Sequence, residues 1–362
     1  MKKILIVLIA LIAIGVSIGA VSAEGFDFSF GSESNTDGGQ FSLENNKLKS
    51  IKDYSEVFGD YLIKLAKKDD KIVAVTAAMA DGTGLSKFKK EFKNRFFDVG
   101  IAEQNAITMC AGLAKAGMKP FVSIYSSFYQ RCYDQVISDI CLQNLPVIMC
   151  VDRAGIVGQD GETHQGIFDL SFFNPIPNLT VASPKDFIEL EQMLDFANTY
   201  NKPIVIRYPR GGESSSVKFD KHEEIIQNQV EIIQKEENAP VTIIALGKMV
   251  ARAIEVSNLL KEKDINTNII NARFLNYDLN NDFIELVKNS KLVVTIEDGI
   301  ITGGLGSNTQ SLLIKNNLQK IPLKIFGYPQ TFIQHGTVEQ LEKHFKLDKN
   351  SIAQEIIACY KD

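Results

Sequence analysis

The chain has 362 residues, 45% of them apolar, with 39 Lys and Arg against 44 Asp and Glu and a formal net charge of −5. That length accommodates about two domains with sizeable cores, and the mild, dispersed acidity excludes the basic stripe of a nucleic-acid binder. The five cysteines, Cys110, Cys132, Cys141, Cys150 and Cys359, form no CxxC pair and no metal-ligand spacing, so they read as reduced, mostly buried thiols of a cytosolic type of fold.

The N-terminus speaks for a different compartment. Lys2 and Lys3 precede an uncharged run over 4–20, and small residues at 21–23 precede Glu24. This is the pattern of a secretory signal peptide over 1–23. The run 4–23 is also near the lower limit for an uncleaved membrane anchor. Residues 24–46, rich in Gly, Ser, Asn and Asp, read as a flexible linker.

From about residue 50, helix and strand patterns alternate. Val57, Tyr61, Leu62 and Leu65 mark a helix, and 72–76 is a short β-branched strand. A short apolar run ends at Gly100. Glu103 then opens a helix whose apolar positions Ile107, Cys110, Ala111 and Ala114 recur at three and four residues. Further strands are expected over 121–125, 147–151, 179–182 and 204–208, with helices over 128–142 and after 183–186. The polar stretch 213–239 reads as a connection between a first domain, 47–212, and a second, 240–362. The second carries strand patterns at 241–246, 267–271, 292–296 and 323–326 and helix patterns at 250–260 and 305–313. Such alternation predicts an α/β protein of two doubly wound, mainly parallel-sheet domains. Open sheets of this kind bind ligands at the carboxyl edge of their strands. Strand, tight turn and a carboxylate in the first helical turn put Glu103 at that edge, although an acid there also complements the helix dipole.

The densest chemical cluster is 152–166, with four glycines, Asp152, Arg153, Asp160, Glu162 and His164. It follows a buried-strand pattern, so it too lies at the carboxyl edge, and a long loop there usually serves function. His164 taken alone is as compatible with a hydrogen-bonded structural histidine, and Arg153 alone with a salt bridge. Arg207 and Arg210 end another strand of the same sheet. Several arginines converging on one edge suit an anionic substrate such as a phosphate. The segment 124–131 offers Tyr125, Phe128 and Arg131 to the same edge, where Phe128 is either core or a stacking platform.

The stretches 97–105, 124–131, 133–136, 152–170 and 207–211 together resemble the 1-deoxy-D-xylulose 5-phosphate synthases, thiamine diphosphate enzymes of the transketolase superfamily. Glu297-Asp-Gly, Gly303-Gly-Leu-Gly306 and Phe332-Ile-Gln-His-Gly336 extend the resemblance to the C-terminus. It implies a pyrimidine-binding domain followed by a transketolase C-terminal domain. It further implies decarboxylative condensation of pyruvate with glyceraldehyde 3-phosphate, in isoprenoid precursor synthesis. Glu103 matches the acid that hydrogen-bonds the cofactor's aminopyrimidine ring, and Phe128 the residue that stacks on it. Tyr125, Arg131, Arg153, His164 and Arg210 match substrate-holding positions, and Asp160 and His164 match polar groups near the reacting centre.

Two departures qualify the resemblance. Asn105 stands where the family usually has histidine, and asparagine there is typical of the separate C-terminal subunit of split transketolases. The family's diphosphate-binding domain, with its Gly-Asp-Gly…Asn magnesium motif, should precede residue 45 and is missing. No metal ligand is therefore assigned in this chain. The diphosphate and Mg²⁺ site is expected from a partner, in a homodimer or a heteromer with a diphosphate-binding chain. Three readings result: the C-terminal portion of a synthase, the C-terminal subunit of a split transketolase, or an inactive exported or tethered remnant. The substrate chemistry places the catalytic domains in the cytoplasm, and the 4–23 run argues for export or membrane attachment.

Overall fold

A computed structural model describes residues 41–44, 47–50, 52–278 and 281–361. The leader or anchor reading over 1–23 and, of the linker reading over 24–46, residues 24–40, 45 and 46 lie outside the described residues. Among the described residues no helix is long and apolar enough to cross a membrane. A short antiparallel hairpin opens the described part, β1 (Phe41–Glu44) with β2 (Lys47–Ser50).

The first domain is built on six parallel strands, β3 (Ile72–Thr76), β4 (Phe96–Asp98), β5 (Lys119–Tyr125), β6 (Ile148–Asp152), β7 (Thr180–Ala182) and β8 (Ile204–Arg207), in the order β4-β3-β5-β6-β8-β7. β3, β6, β7 and β8 are buried at every position, as strands covered on both faces must be. Helices connect them: Tyr54–Ala66, whose N-cap Asp53 accepts the Glu56 amide; Glu103–Lys115; and Phe187–Thr199, whose N-cap Asp186 accepts the Glu189 amide. Register places Tyr125 opposite Asp152, and Val151 opposite Arg207. The carboxyl ends of β5, β6 and β8 therefore lie side by side.

The second domain has β9 (Glu231–Gln234), β10 (Val241–Ala245), β11 (Thr267–Asn271), β12 (Leu292–Ile300) and β13 (Leu323–Tyr328), in the order β13-β12-β10-β11-β9. Only the edge strand β9 is antiparallel among these described pairings. It arises within the polar stretch read as a connection. One continuous apolar cluster runs from Val75 and Ile107 in the first domain to Ile244 and Ile270 in the second.

The domain junction also holds a buried ion network. Lys185 Nζ lies 3.1 Å from Glu189 Oε1 and 2.7 Å from Glu231 Oε2. Arg273 Nε donates to Glu189 Oε1 at 2.9 Å, and its Nη2 pairs with Glu231 Oε1 at 3.2 Å. Asn271 Nδ2 donates to both carboxylates. Two cations thus face two anions, and all four side chains are withdrawn from solvent.

The regular helix expected over 128–142 is corrected. A short α-helix Ser126–Tyr129, a 3₁₀ turn Gln130–Cys132, a three-residue α-helical segment Tyr133–Gln135 and a π-helix Val136–Cys141 replace it. Buried Tyr129, Cys132, Val136 and Ile140 still recur at three and four residues, which is why the pattern reads as one helix. The wider turn shows in the i→i+5 bonds from Leu142 N to Ile137 O and from Leu145 N to Ile140 O, which leave no trace in apolar spacing. Of the cysteines, Cys110, Cys132, Cys141 and Cys150 are buried free thiols and Cys359 is exposed.

Candidate active site

Glu103 is the first residue of its helix and is 2% exposed. It is held there because β4 ends at Asp98, whose Oδ1 accepts the Gly100 and Ala78 amides and tightens the turn into the helix. Its Oε1 accepts a 2.9 Å bond from Arg131 Nη1. Its Oε2 carries no hydrogen bond among the described residues. A carboxylate oxygen without a partner, on a residue otherwise withdrawn from solvent, is an open acceptor for an N–H donor. The Arg131 guanidinium lies 4.9 Å from the Phe128 ring centroid, so one planar cation touches both Glu103 and Phe128. Arg131 is turned onto this pair rather than onto Arg153 and Arg210. Asn105 is exposed on the same helix.

Tyr125 and Phe128 flank the bend where β5 passes into helix. Their rings stack at 5.9 Å and 18°, and His164 meets Phe128 edge-on at 5.3 Å. Arg153 lies over the other aromatic, 3.8 Å from the Tyr125 centroid. Burial pushes the Tyr125 phenol up, keeping it a neutral donor despite the nearby Arg153. His164 Nδ1 shares a 2.9 Å bond with the Thr163 hydroxyl, and its Nε2 has no partner among the described residues. Asp160, an exposed residue, accepts at Oδ1 from Arg210 Nη1 at 2.7 Å. Arg153, Tyr125, Phe128 and His164 therefore form one chain of contacts, with Asp160 and Arg210 close enough to Tyr125 to act on its phenol.

Arg207 is not among them. It is 2% exposed, donates from Nε to Asp169 Oδ2 at 2.9 Å and from Nη2 to the Asp298 carbonyl at 3.1 Å. It ties the first domain to β12 rather than facing a ligand, which corrects its reading as a substrate arginine.

Several residues outside the expected set shape the site. Gln165 folds the 153–166 loop on itself: its Oε1 accepts the Val157 and Gly158 amides, and its Nε2 donates to the Gln334 carbonyl at 3.2 Å. Gly155 and Gly166 exchange backbone bonds of 2.7 Å. Asp298 Oδ1 accepts the Ile156 amide at 3.3 Å, and its Oδ2 pairs with Lys248 at 3.1 Å. The second domain thus clamps the loop through the two motifs, 297–299 and 332–336, that accompany it in the sequence. Gly82, in the turn after β3, accepts Arg153 Nη1 at 2.6 Å through its carbonyl. Among the described residues no group of three or more His, Cys, Asp or Glu side chains is placed to hold a metal ion.

Gly155 shows how close this clamp is. Its φ is +77°, and a Cβ would sit 1.8 Å from Asp298 Oδ2. Gly155→Ala is expected to lose about 1–2 kcal/mol from the left-handed backbone alone, and more from the displaced carboxylate. A lowered melting temperature, with faster amide exchange at Ile156 and Val157, checks this. Unchanged exchange there would show that the clamp does not order the loop.

Comparison with known proteins matches residues 51–212 to the transketolase pyrimidine binding domain and residues 229–352 to the transketolase C-terminal domain. The 1-deoxy-D-xylulose-5-phosphate synthase of Caldanaerobacter subterraneus is 45% identical over 324 residues, 89% of this chain and 51% of that protein. The same-named protein of Halothermothrix orenii is 46% identical over 312 residues, 86% of this chain and 49% of that one. The chain therefore spans about half the length of the curated relatives it matches. Among solved structures, a split gene transketolase described as an inactive beta4 tetramer superposes with a TM-score of 0.72 at 28% identity, covering 83% of this chain and 96% of that one. A transketolase from Campylobacter jejuni shares the fold, with a TM-score of 0.70 at 18% identity over 88% of this chain and 48% of that chain.

Proposed function

The chain belongs to the transketolase family, and on that premise we propose that it forms the pyrimidine-side half of a thiamine diphosphate-dependent 1-deoxy-D-xylulose 5-phosphate synthase. The observation that carries this is the buried Glu103 carboxylate with its open Oε2, linked through one guanidinium to the half-buried Phe128 ring. That donor set fits the aminopyrimidine end of the cofactor, which when bound supplies the carbanion chemistry that makes a two-carbon donor of pyruvate. Glu103 would hold the aminopyrimidine by accepting its ring N–H at the open Oε2. Phe128 offers the face on which the ring rests. Tyr125 and Arg153 form one wall of the substrate cleft, and His164 Nε2 is free to give or take a proton at the reacting oxygen. Arg210, held by Asp160, grips the phosphate of glyceraldehyde 3-phosphate.

The diphosphate and Mg²⁺ groups come from outside the described residues, in a second chain or a further domain. The catalytic domains work in the cytoplasm, where phosphorylated sugars and pyruvate are available, and residues 4–23 are the stretch that would export or tether the chain. A second reading, the C-terminal subunit of a split transketolase, is favoured by Asn105 and by the likeness to a split gene transketolase of nearly matching length. The 45% identity to synthases favours the first.

Arg210→Ala tests the phosphate site, and the donor substrate separates the two readings. With a complementing chain that restores activity, the Michaelis constant for glyceraldehyde 3-phosphate should rise about ten-fold or more, the usual size for a hydrogen bond to a charged group. That for pyruvate should barely move, because pyruvate carries no phosphate. An equal effect on both substrates would remove Arg210 from the phosphate site. Turnover of a ketose phosphate donor in place of pyruvate would favour the split transketolase.

A further inference from the structure

We propose that Asp152 and Ser55 are positioning residues for Arg153, holding its guanidinium so that its remaining donors face a substrate phosphate. The proposal deepens the functional reading above and rests on Arg153 being a substrate-binding group. Asp152 is the last residue of β6 and is fully buried. Its Oδ1 accepts Arg153 Nη1 at 2.9 Å, and its Oδ2 accepts the Ser55 hydroxyl at 2.7 Å, from a helix 97 residues away in the chain. Arg153 takes a left-handed backbone, φ +57°. That turn brings its side chain back over the preceding carboxylate.

The guanidinium is then fixed at one corner and on one face. Nη1 gives both of its bonds to fixed acceptors, Asp152 Oδ1 and the Gly82 carbonyl, and Tyr125 lies against the plane. Nη2 and Nε carry no hydrogen bond among the described residues. A planar fork with its outer edge unspent matches a phosphate or carboxylate bidentately. Gly82 leaves room for this, since a Cβ there would sit 1.7 Å from the Tyr125 hydroxyl and 3.2 Å from Arg153 Nη2.

Packing alone gives no reason for a carboxylate at this position. Burial pushes the Asp152 carboxyl up to about 6, against the downward pull of Arg153 and Ser55. The charged or titratable groups facing it are Asp53 from the start of the first helix, Tyr125 from β5, Cys150 from β6, Tyr208 beyond β8, and Arg153. Arg153 is the one cation among them, so each is the other's counter-charge. A folded pKa above the unfolded value means that ionising Asp152 costs stability, a cost complete above about pH 6 and absent in acid. A neutral isostere should therefore be at least as stable near neutral pH and worse at its task.

The test uses the full chain, Asp152→Asn and Ser55→Ala. Modification of Arg153 by phenylglyoxal is read by peptide mass spectrometry, with and without glyceraldehyde 3-phosphate, across pH, alongside melting temperature. In Asp152→Asn the melting temperature should hold or rise above about pH 6, Arg153 should be modified several-fold faster, and the ligand concentration for half protection should rise about ten-fold. In Ser55→Ala the acid midpoint of protection should move to higher pH, because the hydroxyl bond that favours the carboxylate is gone. Wild-type modification rates in both variants would overturn the proposal. Faster modification in Asp152→Asn, with no protection by the ligand even in the wild type, would overturn the phosphate half of the proposal together with the substrate reading of Arg153, and leave only the ion pair.

Discussion

Glu103→Gln, assayed with a complementing chain, is expected to lose turnover by about a hundred-fold or more, the lower range of what a positioned proton-transferring group contributes. The amide keeps the shape of the carboxylate and can still accept one bond. It is neutral, and charge-assisted bonds are roughly twice as strong as neutral ones. The loss should fall on turnover, with the Michaelis constant for glyceraldehyde 3-phosphate nearly unchanged, because Glu103 is bonded to Arg131 whereas Arg210, the proposed phosphate arginine, is paired with Asp160. Stability should change little. Arg131, whose bond to this position is only weakened, is 45% exposed and readily solvated. A variant with wild-type turnover per folded molecule and a lowered melting temperature would reduce Glu103 to a helix-dipole residue.

Arg273→Met is expected to have the largest effect on stability. It leaves Glu189 and Glu231 facing Lys185 alone, with one negative charge uncompensated in the domain junction. Breaking one partner of a buried charge set costs about 3–5 kcal/mol, which for domains of this size lowers the melting temperature by roughly 6–20 °C. The loss belongs to the stranded carboxylate rather than to a missing contact. Adding Glu189→Gln should therefore recover part of it by removing that charge. Recovery in the double variant, measured by thermal melting, distinguishes charge imbalance from the lost packing of a large side chain. A double variant less stable than Arg273→Met would show that packing dominates. The carbonyls of Glu223 and Glu224 also lose their donor in both variants, so full recovery is not expected.

The sequence by itself determined most of the strand and helix succession, and it placed the 152–166 cluster at the carboxyl edge of the first sheet. These are local properties. Apolar spacing of two or of three and four residues reports which faces are buried. The 72–76 and 267–271 strands begin and end in the structure where that spacing puts them. Strand, turn and helix are also enough to carry Glu103 to the sheet edge, and a glycine-rich run after a buried strand to carry His164 and Arg153 there.

Tertiary structure decided what depends on which surface packs against which. Arg207 and Arg210 stand three residues apart in one motif and look alike in sequence. Arg207 is still in β8, where the second domain covers it and Asp169 neutralises it, whereas Arg210 lies past the strand end beside Asp160. Ser55 meets Asp152, and Asp298 meets Gly155, across separations of 97 residues and more, so neither contact is written in local periodicity. Strand β9 is only four residues long in a polar stretch, and it forms because β11 offers it an open edge, Ile232 and Ile233 pack on the apolar clusters, and the Lys185–Arg273 network receives Glu231. The π turn at Val136–Cys141 preserves the spacing of buried residues while changing the backbone bonds between them, and spacing is all that a sequence displays.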